Sequence, residues 1–457
     1  MKETAHDAEA GPKKGWFASA PGLFVFFFLL ALLPRLWVLH IALHHETPVY
    51  RHQDSGGYLE AGESLARGRG YRGSEGTPLF WWPPGYPGFL ALTFRAGVAS
   101  PTHPGGSLLA QALLASMVVG MTALLALKLG GPSAAWLAGA LMTFEPSSIA
   151  YADVLLSEAL FTFLLMLSVI AWARWWETGG AGRWMLFASL ASSLPFVRPM
   201  ALYLWIPLAL LVGFFGPAVR RRAWLAALFV GVTLMPIAAW TLRNYSYLHV
   251  PVFATVSQFN EALFARSVED LAGEPRPAAS TRQPWQEGFG QEEGLPFEQV
   301  MRTRDRYFWK VFAHHPLIAG ERLVLTGLEI LGVPDQRLPD LLLREFPQSP
   351  QKGVAGRLKW LSGLGWLGAL LLFGMFVSVA GSLALGFLVL RCRAWPPDRR
   401  ALLALLVVLV LYHLLIGAST MYQGDRFRVP VIPLLAAALG CALSGGFRAA
   451  ARERALT

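Results

Sequence analysis

The first residue around which chemistry could be built is Asp54, in the stretch His52–Tyr71, HQDSGGYLEAGESLARGRGY. It stands just after a long apolar run, where a carboxylate is out of keeping with what precedes it. Asp54 or Ser55 could cap a helix that starts there, because both side chains accept hydrogen bonds from exposed backbone N–H groups. Asp54 could instead be a general base, positioned by a helix start beside an apolar cavity. A second acidic group, Asp153 with Glu158, lies in SSIAYADVLLSEALFTFLLML. Glu158 sits at one end of an apolar run, flanked by Leu155, Leu156, Leu160 and Phe161. Ionisable groups at membrane depth are costly and mark functional candidates; the bland alternative is a carboxylate that reaches water at a helix start, favoured by the helix dipole. Asp153 is expected to be the more exposed of the two.

Five arginines fall where a membrane chain has few: Arg35, in LLPRLWVLH, then Arg198, Arg243, Arg426 and Arg428. Snorkelling to headgroups accounts for any one of them. Convergence of several at one face would instead suit a bound phosphate, which guanidinium grips through two parallel hydrogen bonds. Two look-alikes carry no weight. GRGYRG at 68–73 has the spacing of a dinucleotide loop but follows a surface helix, not a strand. His314-His315 has no third partner at a metal-ligand spacing.

The elements that must position these side chains follow from composition. Of 457 residues 54% are hydrophobic and 15% charged, with a mean hydropathy of +0.44. A soluble chain carries about 25% charged residues, so an all-α polytopic membrane protein is expected. The net charge of +10 is spread in short clusters between apolar runs, as topology signals are, so no nucleic-acid partner is implied. Cys392 and Cys441 are the only cysteines, and no disulfide framework follows from two.

Apolar runs predict about ten helices, at 21–42, 106–127, 132–147, 155–173, 184–197, 200–216, 223–241, 365–390, 401–418 and 429–446. Basic residues of the short connections (Lys13, Lys14, Lys128, Arg174, Arg183, Arg220–Arg222, Arg391, Arg399, Arg448) gather on one side, which by the positive-inside rule is cytoplasmic and holds both termini. The division expected is a leader at 1–20, a transmembrane core at 21–243 with a first outer loop at 44–105, an outer region at 244–364, C-terminal helices at 365–446 and a tail at 447–457. In the first loop a short amphipathic helix is expected from Ser55, with Tyr58, Leu59, Gly62, Leu65 and Ala66 on one face. A second element follows in PPGYPGFLAL, and GEPRPAASTRQPWQEGFGQEEG reads as a mobile loop. No internal repeat is found.

A first span ending in an Arg, then DSGGYLEAGESLARGRGY, then PPGYPGFLAL, resembles the opening of the GT-C membrane glycosyltransferases. The branch concerned lies around glycosyltransferase family 39, with its protein O-mannosyltransferases and lipid A aminoarabinose transferases. LLSEALF at 155–161, FVRPMAL at 196–202, RNYSYLHVPVFATVSQFNEALF at 243–264 and DRFRVPVIPLL at 425–435 are also similar to that family.

The resemblance implies a GT-C-like transmembrane bundle with interfacial helices in its outer loops. It implies transfer of a sugar from a polyprenyl-phosphate carrier to a hydroxyl of a lipid, glycan or protein, at the outer face of a bacterial cytoplasmic membrane. Carried over, Asp54 matches the catalytic base and Glu158 the second acidic position. Arg426, Arg243 and Arg35 match lipid-phosphate contacts, with Tyr58 and Tyr86 as further substrate-binding positions from the two loop motifs. The mannosyltransferase branch has adjacent acidic residues where this chain has Asp54-Ser55, which weighs against protein O-mannosylation and a required metal. No cofactor is certain, and a divalent metal stays open. The rival readings are a flippase for lipid-linked sugars and a polymerase or ligase that uses pyrophosphate carriers.

Overall fold

The computed structural model describes residues 21–217, 219–274, 297–343, 354–420 and 424–446. Among these there are helices and no strands. Six helices are long and apolar enough to cross a membrane, and the protein is a multi-pass membrane protein. These are α1 (Pro21–Leu43), α4 (Gly105–Gly130), α7 (Glu158–Thr178), α10 (Arg222–Leu248), α16 (Trp366–Arg391) and α17 (Pro397–Ala418).

The other four expected spans are shorter helices, and local breaks explain why. The run at 132–147 yields α5 (Pro132–Thr143), because Glu145 starts α6 (Pro146–Ala150) by accepting the Ser148 N–H at 2.6 Å, ahead of a helix-starting proline. α8 (Ala181–Val197) ends at Arg198-Pro199, since the residue before a proline is driven out of the helical region; its φ is −138°. α9 (Trp205–Phe215) follows after a single tight turn. The last, α18 (Ile432–Leu443), has 12 residues, about 18 Å of helix, short of the roughly 30 Å of a bilayer core. Between α7 and α8 the chain reverses at Gly179 and Gly180, whose φ values of 63° and 91° are open to glycine alone at little cost.

α18 lies at the centre, between α4, α5 and α16, with every residue from Ile432 to Cys441 buried. Small residues permit that approach. A methyl group on Gly440 would meet the Ala134 carbonyl at 2.7 Å, and one on Gly381 would meet the Leu435 side chain at 2.7 Å. At one end of the bundle the buried Lys128 ammonium binds Glu177 at 3.0 Å and Asp398 at 2.7 Å, tying α4 to α7 and α17.

The connections build the opposite end. The segment 44–105 forms α2 (Ser55–Ala66) and α3 (Gly85–Arg95), which pack on each other. The segment 244–364 contains α11 (Thr255–Ala272), α12 (Phe297–His314), α13 (Pro316–Gly332), α14 (Arg337–Leu342) and α15 (Val354–Gly363). The expected leader at 1–20, the tail at 447–457 and all but the first two residues of the expected loop at 273–294 lie outside the described residues.

Candidate active site

Asp54 precedes α2, yet its carboxylate caps nothing: the position shows no side-chain cap hydrogen bond. Ser55 organises the turn instead, its hydroxyl accepting the His52 N–H at 2.8 Å and donating to the Leu155 carbonyl at 2.8 Å. That second bond fastens α2 to the segment leading into α7. Asp54 is thereby free to turn to Arg426, whose Nη1 donates to Oδ2 at 2.9 Å.

Arg426 is shared. Its Nε donates to Glu158 Oε1, and the same oxygen is 2.9 Å from Nη1 of Arg198. Glu158 opens α7 and is fully buried, rather than reaching water. Arg198 stands at the break after α8, with its guanidinium 5.8 Å from the Phe161 ring centre and 5.7 Å from that of Phe427. Asp54, Arg426, Glu158 and Arg198 thus form a row of alternating charge. Asp54 is its most accessible member, with a side chain 24% exposed. Burial alone would pull the Arg426 guanidinium down, but the Glu158 and Asp54 carboxylates outweigh it and hold the group above its ordinary range. Beside Asp54, burial pushes the His52 imidazole down to about 4, with Arg426 and Arg337 adding to the effect.

Asp54, Arg198 and Arg426 line a cavity of about 350 Å³. One wall comes from the ends of membrane helices and their connections, with Pro199, Met200, Leu202, Ile416 and Ser419; the other comes from the loops, with Trp81, Trp82, Ser257, Phe259, Asn260 and Glu261. Tyr58 lines the cavity too, its ring 4.7 Å from that of Trp82.

The remaining residues singled out from the sequence lie elsewhere. Tyr86 is fully buried, its hydroxyl donating to Gln111 Oε1 at 2.5 Å, while Gln111 donates to the carbonyls of Ala152 and Val154. Arg35 is buried on α1 and donates to Ser148 Oγ at 2.7 Å. Arg243 is enclosed by the rings of Tyr71, Phe80, Trp240 and Tyr247, each centred 5.0 to 5.8 Å away, and donates to the Leu79 and Tyr71 carbonyls. It clasps the first loop to the end of α10. Arg428 donates to Ser147 Oγ at 3.0 Å and to the Val333 carbonyl. Of the five arginines, two converge on the cavity, Arg198 and Arg426.

Asp153 corrects an expectation. It is fully buried, and neither oxygen has a hydrogen-bond partner among the described residues. Burial pushes its carboxyl well above the usual range, with the Arg35 guanidinium pulling the other way. Phe259, Asn260 and Glu261 fall in the stretch 243–264, which resembles the segment lining the glycosyltransferase family's active site, whereas for Trp81 the only sequence signal is a pair of tryptophans just before PPGYPG. Among the described residues no group of three or more His, Cys, Asp or Glu could hold a metal ion.

No family model and no curated protein matches this sequence. Among solved structures, the archaeal oligosaccharyltransferase AglB from Archaeoglobus fulgidus, in complex with an inhibitory peptide and a dolichol-phosphate, superposes over 97% of this chain with a TM-score of 0.54 and 13% identity. The chain spans about half of AglB, 52% of its length. ArnT from Cupriavidus metallidurans in its apo state matches over 88% of this chain and 78% of its own, at 14% identity and a TM-score of 0.38. The likeness shows the fold: an all-α transmembrane bundle similar to that of AglB.

Proposed function

We propose that the protein is an inverting glycosyltransferase that moves a sugar from a polyprenyl-phosphate carrier to a hydroxyl acceptor, with Asp54 as general base. The observation that carries this is the meeting of an accessible carboxylate and two guanidinium groups in one cavity, at the ends of membrane helices. AglB, which shares the transmembrane fold, was solved with dolichol-phosphate bound, a carrier of the same chemistry. On this reading the site faces the outside of a bacterial cytoplasmic membrane, with both termini in the cytoplasm.

The carrier's tail lies among the spans and its phosphate beside Arg198 and Arg426. The acceptor hydroxyl gives its proton to Asp54 while its oxygen attacks the anomeric carbon from the face opposite the phosphate. The bond from that carbon to the phosphate oxygen breaks, the configuration inverts, and the departing polyprenyl phosphate is stabilised by guanidinium charge already fixed in place. Glu158 touches no substrate in this scheme. It holds the two arginines against their mutual repulsion.

The test compares wild type with Asp54→Asn, using labelled polyprenyl-phosphate sugars and an extract of envelope acceptors. Asp54 caps nothing, so the substitution removes the base without unseating α2. Transfer that disappears in a folded variant is the expected result. Undiminished transfer would move the base to another group, and carrier translocation across vesicles without transfer would make the protein a flippase.

A further inference from the structure

The two walls of the cavity differ in kind. The membrane-side wall carries both arginines among apolar side chains such as Leu202, Ile416 and Phe427, whereas the loop wall is an aromatic shelf edged with neutral and acidic polar groups. Trp81 is the centre of the shelf, 6.2 Å from Trp82 at an interplanar angle of 80° and 5.4 Å from Phe259. Trp82 in turn covers the backbone of Gly57 so closely that a methyl group there would lie 2.3 Å from the ring. The shelf is fastened from behind, because the Thr255 and Val256 N–H groups donate to the Phe80 and Trp81 carbonyls at 2.9 and 3.4 Å.

Along its edge stand Gln53, Asn260 and Glu261, whose side chains make no hydrogen bond or ion pair with other described residues. All three side chains are open to the cavity, where a bound molecule can reach them. Burial, with Asp305 behind it, pushes the Glu261 carboxyl up to about 7, so near neutral pH it both donates and accepts hydrogen bonds.

We infer that this loop wall is the acceptor subsite and that its occupant is a saccharide, so that the attacking hydroxyl belongs to a sugar. The inference rests on the glycosyltransferase reading above and names the acceptor class. A lipid-borne donor must reach the arginines from the membrane side, which leaves the loop wall to the acceptor. A sugar ring offers an apolar C–H face to an aromatic shelf and a rim of hydroxyls to carboxylate and amide groups, and both are present here. An extended peptide that paired as an added strand would instead need free backbone N–H and C=O groups along an edge. The N–H groups at the start of α11 are already taken by the Trp81 segment.

Full-length protein in detergent micelles is photolabelled with diazirine-bearing glucoside, galactoside and N-acetylglucosaminide, and in parallel with a diazirine-bearing serine peptide. Sites are mapped by mass spectrometry in wild type, Trp81→Ala and Glu261→Gln, with folding checked by thermal unfolding. At least one saccharide should label the loop wall and be competed by its unlabelled glycoside. At pH 8.5, where the Glu261 carboxyl is charged, labelling should fall about tenfold in Glu261→Gln, the loss expected for one hydrogen bond to a charged group, and comparably in Trp81→Ala. The inference is overturned if no saccharide labels the wall, if the peptide does so instead, or if labelling is unchanged in a folded Glu261→Gln. The underlying enzymatic reading fails separately, through transfer that survives Asp54→Asn, whatever the labelling shows.

Discussion

Replacing Glu158 by Gln tests the row of alternating charge at its most buried point. Glu158 is the one ion-pair partner of Arg198 among the described residues, and it pairs with Arg426 as well. The substitution keeps shape and leaves Arg426 with Asp54, but it strands the Arg198 guanidinium, whose side chain is 7% exposed. Removing one partner of a buried ion pair costs about 3–5 kcal/mol, mostly because the other charge remains unpaired. If that is the cause, removing the stranded charge as well must recover stability. The double variant Glu158→Gln/Arg198→Met should then be more stable than Glu158→Gln alone, with a coupling of about 2 kcal/mol. The unfolding equilibrium in mixed micelles with sodium dodecyl sulfate, followed by tryptophan fluorescence, reads all four species. A loss under about 1 kcal/mol for Glu158→Gln, as an exposed pair would give, or simple additivity in the double variant, would refute the reasoning.

Tyr86→Phe leaves Gln111 Oε1 without its buried donor and should cost about 1–3 kcal/mol in the same unfolding assay; a neutral result would mean that the bond contributes nothing net. His52 has a pKa pushed down from 6.5 to about 4, so the unfolded chain binds its proton first. The stability that follows is present above pH 6.5 and is lost as the pH falls towards 4, by on the order of 3 kcal/mol. His52→Gln should remove that part of the acid sensitivity, and equal pH slopes in the two proteins would contradict it. Gly57→Ala drives a methyl group into the Trp82 ring, so about 1–3 kcal/mol of overpacking strain is expected, together with a raised acceptor KM from the displaced shelf.

Much of the bundle is legible in the sequence because a helix in lipid must be apolar along its length, and such runs stand out in α1, α4, α7, α10, α16 and α17. The shorter helices were less legible. Whether α5 and α18 extend across the bilayer depends on what encloses them, and enclosure is not a local property. At the cavity, Asp54 and Arg426, with Glu158 buried behind them, stand out in the sequence as charges against apolar runs, and the structure brings them together although 372 residues separate Asp54 from Arg426. Arg243 looked equivalent to Arg426 in sequence, because both follow or precede a span. Four aromatic rings from two distant segments decide that it clasps a loop. Asp153 looks exposed in sequence because nothing nearby reveals that the fold buries it within reach of the Arg35 charge on α1. The part of the loop wall at 243–264 is visible through its resemblance to a family segment, but Trp81 is not, since a half-buried Trp in a polar loop looks ordinary until its neighbours are known.

The place of α18 bears on how the chain is made. It is the hub of the bundle, yet α4, α5 and α16, the helices that grip it, are all synthesised earlier. Chains emerge at about 5–20 residues per second, so α4 waits roughly 15 s or more for the helix that fills the groove between it and its neighbours. During that interval the small residues at Ala134, Ala138 and Gly381 that will receive α18 face lipid or one another. A ribosome that stalls before Ile432 would therefore leave a membrane-inserted ring of helices with an unfilled centre, a species that quality-control proteases can recognise.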